Sequence, residues 1–189
     1  MNTYFSANKS LKGGALFVSW NSKEGNIYHK LFSQVANDQN DKSKNFDWKN
    51  AIFVKLSQDE AADVVRAIRT NGESKFYHTF ENQVCTGTLK YYEIDGEKGK
   101  RKGFLMAVKK EEREIKVGFS LGAAERLSLL HQHALSHIFD SEYSVEIQKN
   151  KEYAKKKEES KSSKLVVEPA TVSDNTTSEP VEENPDDLF

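Results

Sequence analysis

One cysteine, Cys85, stands alone in a chain of 189 residues. A lone thiol excludes an intrachain disulfide framework and a cysteine-based zinc site, and it points to a reducing compartment. No run of the sequence approaches the ~18 apolar residues that a membrane-spanning helix needs. The N-terminus, Met1-Asn-Thr-Tyr-Phe5, has no charged region followed by an apolar stretch, so it does not read as a secretory signal. A soluble cytoplasmic protein without membrane contact is expected. Also missing are a Ser-His-Asp order, a P-loop, a Gly-x-Gly-x-x-Gly run and a paired acidic motif. The expectation is therefore no enzyme and no cofactor.

A net charge of either sign is nearly absent, with 28 Lys and Arg against 29 Asp and Glu. The balance conceals an asymmetry. Residues 1–149 carry 22 basic and 19 acidic side chains, a net of +3, whereas residues 150–189 carry 6 and 10, a net of −4. From Leu165 to Phe189 there are seven acidic residues and no Lys or Arg. Such a segment has too little apolar surface to offset its ordering entropy, and disorder is expected. It nevertheless ends in Leu188 and Phe189, directly behind Asp186 and Asp187. A flexible acidic string with an apolar tip suits capture by another protein. It is also a mobile anion able to compete for a basic groove on its own body. The arrangement resembles the acidic tip of bacterial and phage single-stranded DNA-binding proteins, which recruits replication and repair enzymes. A merely solubilising terminus is the plainer alternative.

Within the body the hydrophobic period switches between two and 3.6. Gly14–Trp20 is rich in strand-forming residues. Asn26–Ala36 alternates, with Ile27, Leu31 and Val35 on one face and Tyr28, Lys30, Phe32 and Gln34 on the other. Ala51–Leu56 alternates again, and the polar stretch Asn37–Lys44 between them reads as a long exposed loop. Ser57-Gln-Asp-Glu60 has capping-box spacing and introduces a helix that buries Ala61, Val64, Val65 and Ile68, stopped by Asn71-Gly72. Lys75–Phe80, Thr88–Ile94, Phe104–Lys110 and Ile115–Leu121 then read as strands, with Gly96–Gly103 as a basic turn. A second helix is expected from about Gly122 to Phe139, striped by Leu127, Leu130, Ala134 and Ile138. The strand-to-helix junctions Val54–Ser57 and Val117–Ser120 correspond, as two copies of a four-strands-and-helix unit would require. This divides the chain into a domain at 1–145, a charged linker at 146–164 and the acidic tail at 165–189.

Lys12-Gly13-Gly14-Ala15, leading into a strand, resembles the lysine-glycine-lysine-alanine-alanine-leucine motif of the Whirly family, with Gly14 in place of the second lysine. Asp47-Trp48 leading to Phe53-Val-Lys-Leu-Ser57, the helix after it, and Glu73-Ser-Lys-Phe-Tyr-His78 are similar to that family's middle section. Ala123–Phe139 looks like its last helix. The resemblance covers about residues 3 to 139, and order and spacing carry it. It implies an α+β fold with two antiparallel four-stranded sheets packed with two helices. It also implies a homotetramer that binds single-stranded DNA along its sheets. With no transit peptide and a tip like that of bacterial and phage binders, the expected setting is a bacterial cell or a phage-infected host.

The binding face is expected to be the sheet surface turned away from the helices. Alternation places Tyr28, Lys30 and Phe32 there, with Phe53 and Lys55, Lys75 and Tyr77, and Lys90 and Tyr92. Each group joins an aromatic to a cation: bases stack on the rings and lysines neutralise phosphates. Lys12 joins them through the motif, and Lys100 and Arg101 through the basic turn. Asp186, Asp187, Leu188 and Phe189 are the expected docking tip for replication or repair proteins. Trp20 and Trp48 are both ambiguous, since Trp is often a buried anchor and strand parity puts Trp20 with Leu16 and Val18. His133 and His137 share a helical face, a geometry that metal sites use, but with no Cys or carboxylate partner nearby in sequence no metal is expected. Two rivals remain at this stage. One is a five-stranded OB-fold binder with the same tail. The other is an interaction adaptor whose sheet aromatics meet a protein rather than DNA.

Overall fold

Alternation lays down the first sheet. In the computed structural model, which describes residues 2–80, 83–96 and 99–164, β1 (Asn2–Ser6), β2 (Gly14–Asn21), β3 (Asn26–Ser33) and β4 (Ile52–Leu56) form an antiparallel sheet in chain order. On β3, Ile27, His29 and Leu31 point inward and Tyr28 and Lys30 outward. Ser57 then caps α1 (Gln58–Arg69): its hydroxyl accepts from the Glu60 amide while the Glu60 carboxylate accepts from the Ser57 amide. At the far end Asn71 adopts φ 51°, and the Gly72 amide donates to the Ala67 carbonyl at 2.8 Å. That bond closes the helix with the left-handed stop the sequence implies.

The second half repeats the plan. β5 (Glu73–Phe80), β6 (Gln83–Gly96), β7 (Gly99–Lys110) and β8 (Arg113–Ser120) form a second antiparallel sheet, again in chain order, and α2 follows from Leu121 to Lys164. Two four-stranded antiparallel sheets with one helix after each is the α+β architecture that the resemblance implied. The OB-fold rival required a closed five-stranded barrel and is set aside. Inner-face residues of both sheets and the buried stripes of both helices make a common core, including Leu16, Leu31, Val64, Phe104, Phe119, Leu127 and Ile138.

The sheets approach closely at one seam. A Cβ on Gly14 would lie 2.7 Å from the Lys116 carbonyl oxygen and 2.9 Å from Ile115 Cγ2. Those distances leave no room for a side chain on β2 where it meets β8.

Several expectations need correction. β1 was not visible as a period, because its residues alternate weakly. The Gly96–Gly103 turn is much shorter than expected: β6 extends to Gly96 and β7 restarts at Gly99, so Lys100 and Arg101 lie on a strand. β3 stops at Ser33, leaving Val35 off the strand and exposed. Leu127, Ala134 and Ile138 are fully buried in the chain's own core, with Leu130 packed beside them, so this stripe is not available to another subunit. Leu129, Phe139 and Tyr143 are among the exposed apolar residues farther round α2.

The chain divides into two units, Met1–Ile147 and Gln148–Phe189. The described residues of the second unit are helical as far as Lys164, where a solvated linker was expected. Residues 148–160 are all exposed, as a segment charged on all sides should be. The acidic tail and its tip, Asp186, Asp187, Leu188 and Phe189, lie outside the described residues.

Candidate nucleic-acid interface

The register of the first sheet puts Phe17, Lys30 and Phe53 in one cross-strand row, and Ser19, Tyr28 and Lys55 in the next. All have the outward parity. The Tyr28 and Phe53 rings meet with centroids 5.3 Å apart, and Lys30 Nζ sits 5.7 Å from the Phe53 centroid. A cation at that distance is held by the ring's negative face, which keeps charge beside a stacking surface. The Tyr28 hydroxyl is tethered by donating to the Glu24 carboxylate, and this bond is the main cause that raises the phenol's pKa. Phe53 remains half exposed, at 50%.

Phe32 belongs to this face but not to its surface. Only 7% exposed, it lies under Trp48, with centroids 4.7 Å apart. Phe46 and Ala15 close around it in a small second cluster. Phe32 therefore offers no free ring face, and the exposed rings beside it are those of Trp48 and Phe5, 6.2 Å apart. Trp48 sits in a loop, where no period reports orientation, and Phe5 lies on the strand that went unseen. Trp20 takes the buried parity and packs against the core.

On the second sheet, Lys75, Thr88, Ala107 and Lys116 form one outer row, and Tyr77, Thr86, Lys109 and Glu114 the next. Tyr77 is 64% exposed. Lys90 occupies a further outer row between Glu73 and Leu105. Tyr92 stands opposite Gly103, and its ring lies across the glycine, where a Cβ would come within 2.9 Å of the hydroxyl. This pairing fixes the ring but covers part of it. Lys109 and Lys116 were missed, although the alternation of β7 and β8 carries the same outward signal that found Lys75.

The faces communicate through a cleft of about 470 Å³ lined by Phe53, Lys55, His78, Thr79, Cys85 and Lys110. Two cations and an exposed ring flank it. His78 Nε2 is 3.3 Å from a Glu60 carboxylate oxygen, too poorly aligned for a hydrogen bond. The Cys85 thiol is pushed up by burial, with Lys110 opposing, so the chain's one thiol is not poised as a thiolate nucleophile.

The basic arm lies apart from these faces, whereas Lys12 borders the outer rows of the second sheet. Lys12 is exposed just before β2 and shares a smaller cleft with Ser33, Glu114 and Lys116. β6 and β7 continue past their neighbours, since β5 pairs with β6 only as far as Lys90 and β8 pairs with β7 only from Gly103. The extension is a two-stranded arm. On it Lys100 and Lys102 approach Glu93 at 3.1 and 3.2 Å, and they hold its carboxyl below the usual range, Lys100 foremost. Arg101 is exposed opposite Ile94.

No family model and no curated protein matches the chain. Among solved structures, that of the plant transcriptional regulator PBF-2 is similar, at 12% identity over 76% of this chain and 84% of that one, with a TM-score of 0.49. Among the described residues, no helix is long and apolar enough to cross a membrane.

Proposed function

We propose that the chain is a non-enzymatic single-stranded DNA-binding protein that serves replication, recombination or repair and binds with little sequence preference. The observation that carries this reading is the open face on which Lys30 lies over Phe53 beside Tyr28. A base stacked on such a ring gains ~1–3 kcal/mol, and the neighbouring cation meets the phosphate. A duplex keeps its bases stacked on each other and cannot use the rings. The body's net charge of +3 is modest, which fits a binder that divides its affinity between stacking and charge.

Fluorescence titration with single-stranded and duplex oligonucleotides at two salt concentrations tests the reading. Single strands should bind more tightly, and the affinity should fall steeply with salt. Equal affinity for a matched duplex sinks the single-strand preference. No binding to either at low salt leaves the adaptor reading, in which the same aromatics meet a protein.

The finer assignments belong to the same proposal. Replication or repair proteins dock on the tip at Asp186, Asp187, Leu188 and Phe189, and the chain works as a homotetramer in the cytoplasm of a bacterial cell or phage-infected host. Leu129, Phe139 and Tyr143 on α2 offer exposed apolar surface for such an assembly. A monomer in sedimentation at micromolar concentration would count against it.

A further inference from the structure

His133 and His137 stand one helical turn apart on α2, outside the core. Their Nε2 atoms approach to 3.2 Å, and their rings are nearly perpendicular, at 88°. Trp20 of β2 backs both: its ring lies 5.6 Å edge-on to His133 and 6.3 Å stacked on His137. Both histidines remain exposed. Two nitrogens that meet head to head can share one proton, or they can share a cation in its place.

We infer that His133 and His137 form a two-imidazole site for a divalent transition cation of the zinc, copper or nickel kind. With metal–nitrogen bonds of ~2.0–2.1 Å, two ligands of a tetrahedral ion sit about 3.3 Å apart and two adjacent ligands of a square-planar ion about 2.9 Å. The observed 3.2 Å lies between these values. Imidazole suits these cations, whereas calcium and magnesium select oxygen. Trp20 limits how far either ring can turn, so little ordering is left for the cation to impose.

The buried pair His29 and His131 does not share this capacity. His131 Nδ1 is committed to the Leu127 carbonyl, and the two Nε2 atoms face each other in a space with no opening to solvent. Among the described residues no group of three or more His, Cys, Asp or Glu gathers. The exposed pair is therefore a two-ligand site completed by water.

The test uses the tag-free full chain in a non-coordinating buffer. Copper(II) titration should quench Trp20 saturably at about one ion per chain, and zinc should compete for the same site. His133→Gln and His137→Gln should each weaken binding by about tenfold or more, since half the protein ligands are lost. Copper electron paramagnetic resonance on the unmodified chain should show nitrogen hyperfine structure from two imidazoles. Unchanged affinity in both glutamine variants, the absence of saturable binding, or an oxygen-only resonance signature each overturns the site. The resonance does not depend on how well any variant folds.

Discussion

His29 and His131 face each other across the core with Nε2 atoms 2.9 Å apart and no exposed surface on either ring. Their tautomers follow from the partners. The Leu127 carbonyl, 2.8 Å from His131 Nδ1, can only accept, so that nitrogen carries the hydrogen. His131 Nε2 must then accept, and His29 Nε2–H donates to it. His29 Nδ1 is left as a bare lone pair without a partner among the described residues. Burial lowers both pKa values. His29 goes well below its ordinary value, with His131 as second cause, and His131 falls to about 4.

Acid should therefore destabilise the fold by way of this pair. The unfolded chain takes up protons on these histidines below an ordinary pKa of about 6.5, while the folded chain refuses them. Their contribution is intact above pH 6.5 and is lost progressively as pH falls from about 6.5 towards about 4. The slope is about 1.4 kcal/mol per pH unit for each imidazole. Denaturant unfolding at a series of pH values should show this loss. It should be blunted in a His29→Leu, His131→Leu double variant, which replaces both members of the pair at once. An unchanged slope in that variant would assign the acid sensitivity elsewhere.

Phe53 and Phe32 should separate binding from stability. Phe53→Ala removes a half-exposed ring and should cost single-strand affinity about 1–3 kcal/mol while barely moving the unfolding midpoint. Phe32→Ala empties a buried position beneath Trp48 and should cost about 3–5 kcal/mol of stability. Anisotropy with a labelled oligonucleotide and thermal unfolding read the two effects. If Phe53→Ala binds normally, the outer face of the first sheet is not the stacking surface.

Gly14→Ala should be felt far beyond its single methyl group. With the Lys116 carbonyl oxygen at 2.7 Å from the added carbon, either strand must shift, and overpacking of this kind costs about 1–3 kcal/mol. Gly99→Ala gives a contrast on steric grounds, since nothing lies within 4 Å of a Cβ there, although its φ of +100° adds strain of its own. Gly122→Ala, equally open and without that φ, is the cleaner control and should be neutral or mildly stabilising in the helix. Chemical denaturation of the three variants checks the order.

Deleting residues 165–189 removes seven acidic side chains and should tighten single-strand binding, most clearly at low salt, where a tethered anion competes best. Phe189→Ala keeps the charge and should leave affinity nearly unchanged, but it should lose partner proteins in a pull-down. No change in affinity on deletion removes the self-competition. Continued capture by Phe189→Ala removes the apolar anchor.

Most of the fold was legible because periods are local. Ile52, Val54 and Leu56 against Phe53 and Lys55 could only be a strand with one buried face, and Ser57 and Glu60 announced α1. What escaped depends on contacts remote in sequence. Nothing near Phe32 says that Trp48 covers it, and nothing near Leu127 says that the chain's own core, rather than another subunit, takes it. His29 sat at an inward position of β3, but its partner lies 102 residues away. The basic turn was misjudged for a different reason: glycine and lysine suit a hairpin arm as well as a loop, and composition does not separate the two.

The seam between β2 and β8 bears on how the chain is made. During synthesis the first sheet and α1 emerge complete, yet the strand that lies against Gly14 begins only at Arg113, 44 residues after α1 ends at Arg69. At a typical elongation rate of about 5–20 residues per second, several seconds pass with the inner faces of Leu16, Leu31 and Val54 unsealed. The first repeat is thus born as an open half, dependent on the last strand of the second. Stalling of the ribosome between the two would leave an adhesive intermediate rather than a small finished domain.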